Sequence, residues 1–211
     1  MPRVPQAHLD ARRLQILRAA HRCFGRAGIH GTSMQDVCEE ADVAVGTVYR
    51  YFDGKRALVR ALAEWARLDK EKMVADLDRE RPLAAVVELA RRLLGPLKSR
   101  RAGEAARLDV RLWAEALADE ELEAIWRENF DALGASVEEL VREGRAAGEI
   151  REDLPADDVA RLFLALGQGA VMLRSLEDGL EPEAFLEAVT ALLERGLAAD
   201  EGEGGGTGRR P

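Results

Sequence analysis

GTSMQDVCEEADVAVGTVYRYF, running from Gly31 to Phe52, divides into two short helical segments with a break between them. Met34, Val37, Cys38 and Ala41 recur at helical spacing. Thr32 and Ser33 stand just ahead of them, with Gln35 or Asp36 three residues on, the arrangement of a capping box. A first helix therefore starts near Ser33. Asp42-Val43-Ala44 interrupts the period, and a second segment from Val45 to Phe52 puts Val48 and Phe52 on one side and Thr47, Tyr49, Arg50 and Tyr51 largely on others. So short a helix does not persist alone in water. It needs packing behind it, and a helix-turn-helix gives the reason for displaying Thr, Tyr and Arg in front, because the second helix of that motif enters a DNA major groove.

Upstream, residues 8 to 27 form a helix with Ile16, Ala20, Cys23 and Phe24 on one face, arginines 12, 13, 18, 22 and 26 on the others, and Gly28 as its C-cap. Arg12 and Arg13 are candidates for phosphate contact. Cys23 and Cys38 both fall on apolar faces and read as core residues; a redox pair is the alternative, although a buried, unactivated thiol is inert. Downstream, Asp53 caps a fourth helix that continues to about Arg79, with Leu58, Leu62, Trp65 and Met73 on its buried side. Its first turn holds Lys55 and Arg56. Cations there oppose the positive end of the helix dipole, so they either extend into water or are met by an anion such as a DNA phosphate.

Ile16-Leu17, Ala19-Ala20, Phe24, Gly28, Thr32, Asp36-Val37, Ala41, Val43, Gly46-Thr47-Val48-Tyr49, Tyr51-Phe52, Lys55 and Leu58 follow one another in the order and spacing of the TetR family, the tetracycline-repressor-like regulators, which this stretch resembles. Three positions depart from the family pattern. Asp42 replaces a glycine, Ala44 a serine and Cys38 an alanine, and Ala44 cannot cap the amides of the following helix, a loss of roughly 1 kcal/mol relative to Ser. Ala, Leu, Glu and Arg dominate and strand formers are scarce, so an all-α chain is expected. The composition of 200–211 reads as a disordered tail. The resemblance implies a three-helix helix-turn-helix domain at residues 10–70, joined by a shared helix to a helical ligand-binding and dimerisation domain at 71–199. It also implies a homodimeric repressor on a palindromic double-stranded DNA operator, with recognition helices about 34–36 Å apart, released by a small-molecule effector. The expected DNA-facing residues are Thr32, Ser33, Val45, Gly46, Thr47, Tyr49, Arg50, Tyr51 and Lys55. Val45 and Thr47 are placed to meet thymine methyls, Thr47 and Arg50 base edges, and Tyr49 and Tyr51 phosphates; Tyr51 equally reads as packing beneath the helix. In the family, the positions of Thr47 and Tyr49 carry base and backbone contacts.

Charge is divided in the same sense. Residues 1–60 hold ten Lys/Arg against six Asp/Glu, and residues 61–211 hold twenty-one against thirty-three, within a net charge of −8. A basic end on an acidic chain is where phosphate neutralisation would be found, although a solvated helix face explains the same surplus. The longest apolar run, Leu162 to Leu173, is interrupted by Gly167-Gln168-Gly169 and too short for a bilayer, and the amino terminus lacks a signal-peptide core, so a cytoplasmic protein with no membrane partner is expected. Two distant cysteines make neither a disulfide framework nor a zinc site. No metal and no cofactor are expected.

Beyond the fourth helix, Pro82 starts a fifth that ends at Gly95-Pro96, with the basic loop Lys98, Arg100, Arg101 after it. Helices follow at about 104–118, 120–147 and 157–176. Asp69, Asp109 and Asn129 intrude on otherwise apolar inner faces, so Trp65, Asp69, Met73, Asp109, Trp113, Trp126, Asn129 and Phe130 are the candidate lining of an effector pocket. Their sign favours a cationic or hydrogen-bond-donating ligand; pairing of Asp69 and Asp109 with Arg107 or Arg111 is the alternative. Residues 111 to 179 are similar to the carboxy-terminal domain of family members related to the choline-responsive repressors. Residues 159–173 are apolar nearly all round, and Pro182 opens a last apolar helix. Leu162, Leu166, Gly167, Gly169, Ala170, Leu173, Phe185, Val189 and Leu192 are therefore the expected dimer contacts. The three histidines all lie in the amino-terminal region and no catalytic triad converges, so no enzyme is expected. A helical binding or scaffold protein without specific DNA affinity is the competing reading.

Overall fold

The computed structural model describes residues 6–99, 102–176 and 181–199. Within them the chain runs α1 (Gln6–Gly31), α2 (Met34–Ala41), α3 (Val45–Tyr51), α4 (Lys55–Ala75), α5 (Pro82–Leu94), a 3-10 turn (Gly95–Lys98), α6 (Ala102–Ala116), α7 (Glu120–Ala146), α8 (Ala156–Leu176) and α9 (Pro182–Leu197). This is the expected all-α architecture. The one β pairing among the described residues is an antiparallel bridge of Ile150 with Ala198, which ties the end of α9 to the loop after α7. Arg100, Arg101 and the 200–211 tail lie outside the described residues.

Local chemistry sets the helix ends. The capping box resolves to Ser33 and Asp36: the Asp36 amide donates to Ser33 Oγ at 3.1 Å and the Ser33 amide to Asp36 Oδ2 at 2.7 Å. These bonds hold the Asp36 carboxyl below its ordinary pKa. Asp42 closes α2 in the left-handed region, φ 51°, which accounts for a glycine being usual there. Ala44 begins α3 without any side-chain cap. Gly28 breaks α1 at φ 75° and ψ 169°, and one more turn follows to Gly31. Two helix ends differ from expectation. Gly54, not Asp53, occupies the N-cap of α4, and the helix stops at Ala75 rather than near Arg79 because Leu77, 7% exposed, turns into the core.

Two apolar cores form. The first joins Ile16, Phe24, Val37, Val48, Phe52 and Leu58, and it also takes in Leu108 and Ala116 of α6 and Leu122 of α7. The helix-turn-helix core therefore does not end at residue 70; α6 is built into it. The second core joins α5, α7, α8 and α9 through Val86, Leu89, Val137, Leu140, Phe163 and Leu193. Cys23 and Cys38 are both buried free thiols, and burial raises the pKa of each, which disfavours the reactive thiolate.

Helix α8 is long and apolar enough, by length and composition, to cross a membrane, contrary to the sequence expectation. It is packed on α5, α6 and α7 along one side, where Val159, Ala160, Phe163 and Ala170 are buried. Its other side carries Leu162, Leu166, Met172, Leu173 and Leu176, all exposed. The apolarity thus has two separate uses rather than burial all round.

Candidate DNA-reading surface and effector cleft

Helix α3 is held from behind by Val48, fully buried, and Phe52. This leaves Val45, Gly46, Tyr49 and Arg50 exposed in front and Thr47 half-exposed. Tyr51 is half-buried against the amino-terminal core, and the Arg50 guanidinium lies 5.4 Å over its ring, so Tyr51 packs beneath the helix and steers Arg50. Ser33 is exposed at the N-cap of α2. Two expected DNA contacts are corrected. Thr32 is 2% exposed and donates its hydroxyl to the Gly28 carbonyl at 2.7 Å, so it shapes the turn between α1 and α2. Lys55 directs its ammonium to the Ile29 and His30 carbonyls at 2.9 and 3.3 Å, capping the end of α1. Arg56 pairs with Asp119 at 2.7 Å and Glu121 at 3.3 Å, and Arg60 also pairs with Glu121. The cations at the start of α4 are thus accounted for by protein partners, and no phosphate is needed to explain them. Further back, Arg12 bonds Gln15 and Arg13 lies over the Phe52 ring.

The kink in α1 is clamped from α6. Arg111 donates to the Gly25 and Arg26 carbonyls at 3.4 and 3.3 Å, and the Ile29 amide, freed by the kink, donates to Glu115 Oε1 at 3.2 Å. Arg111 and Glu115 are one helical turn apart, so a single face of α6 holds both sides of the break.

Of the expected pocket residues, Asp109 and Trp113 share an exposed face of α6. Helices α4 and α6 both pack on α7 but scarcely on each other, which leaves a cleft between them with α7 as its floor. Solvent reaches Asp109, yet burial by surrounding protein raises its pKa to about 6, against a lowering influence from Lys70 of α4. The two facts together describe a recess. Lys70 is half-buried with its pKa lowered by the same enclosure, and no direct ion pair joins the two.

Lys70 was missed in the sequence because its neighbour Asp69 fits the apolar period better; Asp69 is exposed on the outside of α4. Arg107 donates to the Ser175 carbonyl and Arg111 to α1, so neither neutralises Asp109. Asn129 is buried and donates to the Ala63 carbonyl at 3.3 Å, tying α7 to α4. Trp126 packs on the amino-terminal core with its ring 6.1 Å from that of Phe130, and Met73 packs on the second core. Trp65 opens onto a groove between α1 and α4 instead.

Among the expected dimer contacts, Leu162, Leu166, Gly169, Leu173 and Leu192 are exposed and Gly167 half-exposed. Ala170 and Val189 are buried within the subunit and Phe185 packs against its core, so these three do not face outward. Met172 and Leu176 complete the stripe on α8; Leu166 follows Leu162 at i+4 and Leu176 follows Leu173 at i+3, spacing that was readable in the sequence.

Comparison with known proteins follows the same division of the chain. The model for bacterial regulatory proteins of the tetR family matches residues 16–62, and that for the BetI-type transcriptional repressor carboxy-terminal domain matches residues 82–198. The chain belongs to the TetR family. This TetR-family chain is 31% identical over 204 residues to an HTH-type transcriptional repressor of Mycobacterium tuberculosis, covering 93% of this chain and 98% of that protein. It is 30% identical over 157 residues to the repressor AcnR of Corynebacterium diphtheriae, covering 74% and 77%. A TetR transcription regulator from Haloarcula marismortui shares the fold with a TM-score of 0.77 at 18% identity, over 90% of this chain and 99% of that one. As a TetR-family member the protein is a DNA-binding transcriptional regulator.

Proposed function

We propose that the protein is a homodimeric repressor, acting in the cytoplasm on a two-half-site operator, and that a small molecule entering the α4–α6 cleft releases it. The observation that carries this is the placement of α4. One helix begins against the recognition helix, where Leu58 is fully buried in the helix-turn-helix core, and then passes the cleft at Lys70. A ligand that spreads or closes the cleft therefore moves a helix that shares its apolar core with Val48 and Phe52 behind the recognition helix. Val45, Thr47, Tyr49 and Arg50 read the groove, with Gly46 allowing close approach. The exposed stripe of α8, with Leu192 of α9, supports dimerisation through a four-helix face, as a two-half-site operator requires.

Asp109 and Lys70 set the chemistry of the effector. A cation or hydrogen-bond donor meets Asp109, and an acceptor or anion meets Lys70, with Trp113 supplying apolar surface beside them. This adds an anion or acceptor contact at Lys70 to the cationic or hydrogen-bond-donating ligand expected from the carboxylates.

The test is binding of the purified protein to the DNA just upstream of its own coding region, at several salt concentrations. A saturable shift of two subunits per site, weakening steeply with salt and resisting random competitor, supports the repressor reading. Equal affinity for random DNA there, and no enriched motif in a genome-wide site selection, favours a scaffold that no longer reads sequence.

A further inference from the structure

Helices α1 and α4 leave a half-open groove between them, a cavity of about 170 Å³. Its walls are Leu14 and Leu17 of α1 and Leu62 of α4, with the Trp65 indole at the rim, 47% exposed. Leu17 is itself core, so the floor is apolar while the rim is open. The polar groups of the lining are Arg18, His21 and Arg22, all from α1, and no carboxylate is among them. Arg22 is committed to Glu40 at 2.6 Å. Arg18 is exposed and has no partner among the described residues. Burial and the adjacent Arg22 lower the His21 pKa, so at neutral pH it offers a neutral ring edge to the groove rather than a charge.

An apolar slot between an uncovered indole and an uncommitted guanidinium is the chemistry that holds an aromatic anion. The ring gains apolar burial and an offset or edge contact with indole, and the carboxylate gains charge-assisted bonds from arginine. Size agrees, since an apolar cavity of roughly 150 Å³ holds benzene. We propose that this groove is a second ligand site, separate from the α4–α6 cleft, for a compact aromatic carboxylate whose ring lies against Trp65 and Leu62 and whose carboxylate meets Arg18. Occupancy pins α1 to α4 inside the DNA-binding unit itself, so this site modulates the operator-binding domain without passing through the carboxy-terminal core.

The experiment is calorimetric titration of the full chain with 1-naphthoate, 1-naphthalenemethanol and 1-naphthylmethylammonium, for the parent, Arg18→Gln and Lys70→Met, each confirmed folded by circular dichroism. The expected result is saturable naphthoate binding at least about tenfold tighter than that of the alcohol or the cation. Arg18→Gln should remove that preference and Lys70→Met should leave it. Absence of naphthoate binding, no preference over the alcohol, or a preference that survives Arg18→Gln overturns the site. Loss of naphthoate binding in Lys70→Met places the anion in the α4–α6 cleft, which overturns this proposal and leaves the effector reading standing.

Discussion

Replacing Glu115 by alanine tests the clamp between α6 and the kink in α1. At Gly28 the helix breaks, and the next amide, that of Ile29, is buried and deprived of its helical acceptor; Glu115 Oε1 accepts it at 3.2 Å. A hydrogen bond to a charged group contributes about 1.5–3 kcal/mol net. Part of that is offset here, because Glu115 Oε2 is buried without a hydrogen-bond partner and the nearest cation-forming group, His30, is 3.9 Å away and largely in solvent. The expected cost of Glu115→Ala is therefore about 1–2 kcal/mol in urea unfolding. Glu115→Gln, which keeps an acceptor, should lose less than half of that. Amide exchange gives the local readout: the Ile29 amide should exchange faster in Glu115→Ala, while amides in the second core, such as Val137, keep their relative protection. If Ile29 exchange is unchanged, or stability falls by less than about 0.5 kcal/mol, the bond does not do what the geometry says and α6 grips α1 through apolar packing alone.

Leu162→Glu and Leu192→Glu, at side chains 64% and 69% exposed in the subunit, should leave the fold intact and give monomers by sedimentation velocity with lost operator binding; a monomeric parent would remove the dimer reading. Arg50→Ala should weaken operator binding by about 1–3 kcal/mol and flatten the salt dependence if it meets phosphate, or relax sequence preference if it meets a base edge; anisotropy titrations at two salt concentrations decide, and unchanged affinity would take Arg50 out of the interface. Asp42→Gly relieves a left-handed residue, φ 51°, and should stabilise by about 0.5–1 kcal/mol in urea unfolding, whereas a loss of stability would mean that the Asp42 side chain holds the turn. Asp109, with its pKa raised to about 6 from 3.8 by enclosure, keeps a proton that the unfolded chain has lost between those values, so stability falls as pH rises through that window. Asp109→Asn should remove the slope, gaining about 1 kcal/mol on the parent between roughly pH 4.5 and 7.5 after allowance for the solvent that reaches the group; a parallel pH profile for the two proteins counts against the recess.

The helix-turn-helix was legible because its signals are local. Hydroxyl, carboxylate and apolar period act within a few residues, so Ser33, Asp36, Val48 and Phe52 could be placed without knowing the rest of the chain. The errors came where a side chain's partner is distant in sequence. Lys55 and Arg56 looked like a waiting anion site because the Ile29 carbonyl and Asp119, which receive them, are 26 and 63 residues away. Thr32 is the exception, since its partner, the Gly28 carbonyl, is only 4 residues back, beside the glycine that the sequence already marks as a helix end. In α8 and α9, apolar composition correctly indicated more surface than one subunit buries, but composition does not divide the faces; Ala170 and Val189 turn inward while Met172 and Leu176 turn out. The recess at Asp109, proposed above as the effector site, was half legible. Asp109 stood out as a carboxylate among leucines, whereas Lys70 required knowing which side of α4 faces α6.

Three connections join the DNA-binding unit to the rest of the chain, and each touches a different part of the cleft. Helix α4 is its first wall and is separated from the recognition helix by three residues, with Leu58 in the amino-terminal core. Helix α6 is the second wall, gripping α1 through Arg111 and Glu115 and entering the amino-terminal core through Leu108 and Ala116. Helix α7 is the floor, and its first turn holds Arg56 and Arg60 through Asp119 and Glu121. Surface ion pairs of the last kind contribute little individually, so the rigid connections are the two walls. On the proposed mechanism, a ligand that changes the width of the cleft shears α1 against α4, and that strain falls near the Gly28 kink, where Arg111 and Glu115 of α6 and Lys55 of α4 hold backbone groups on both sides of the break.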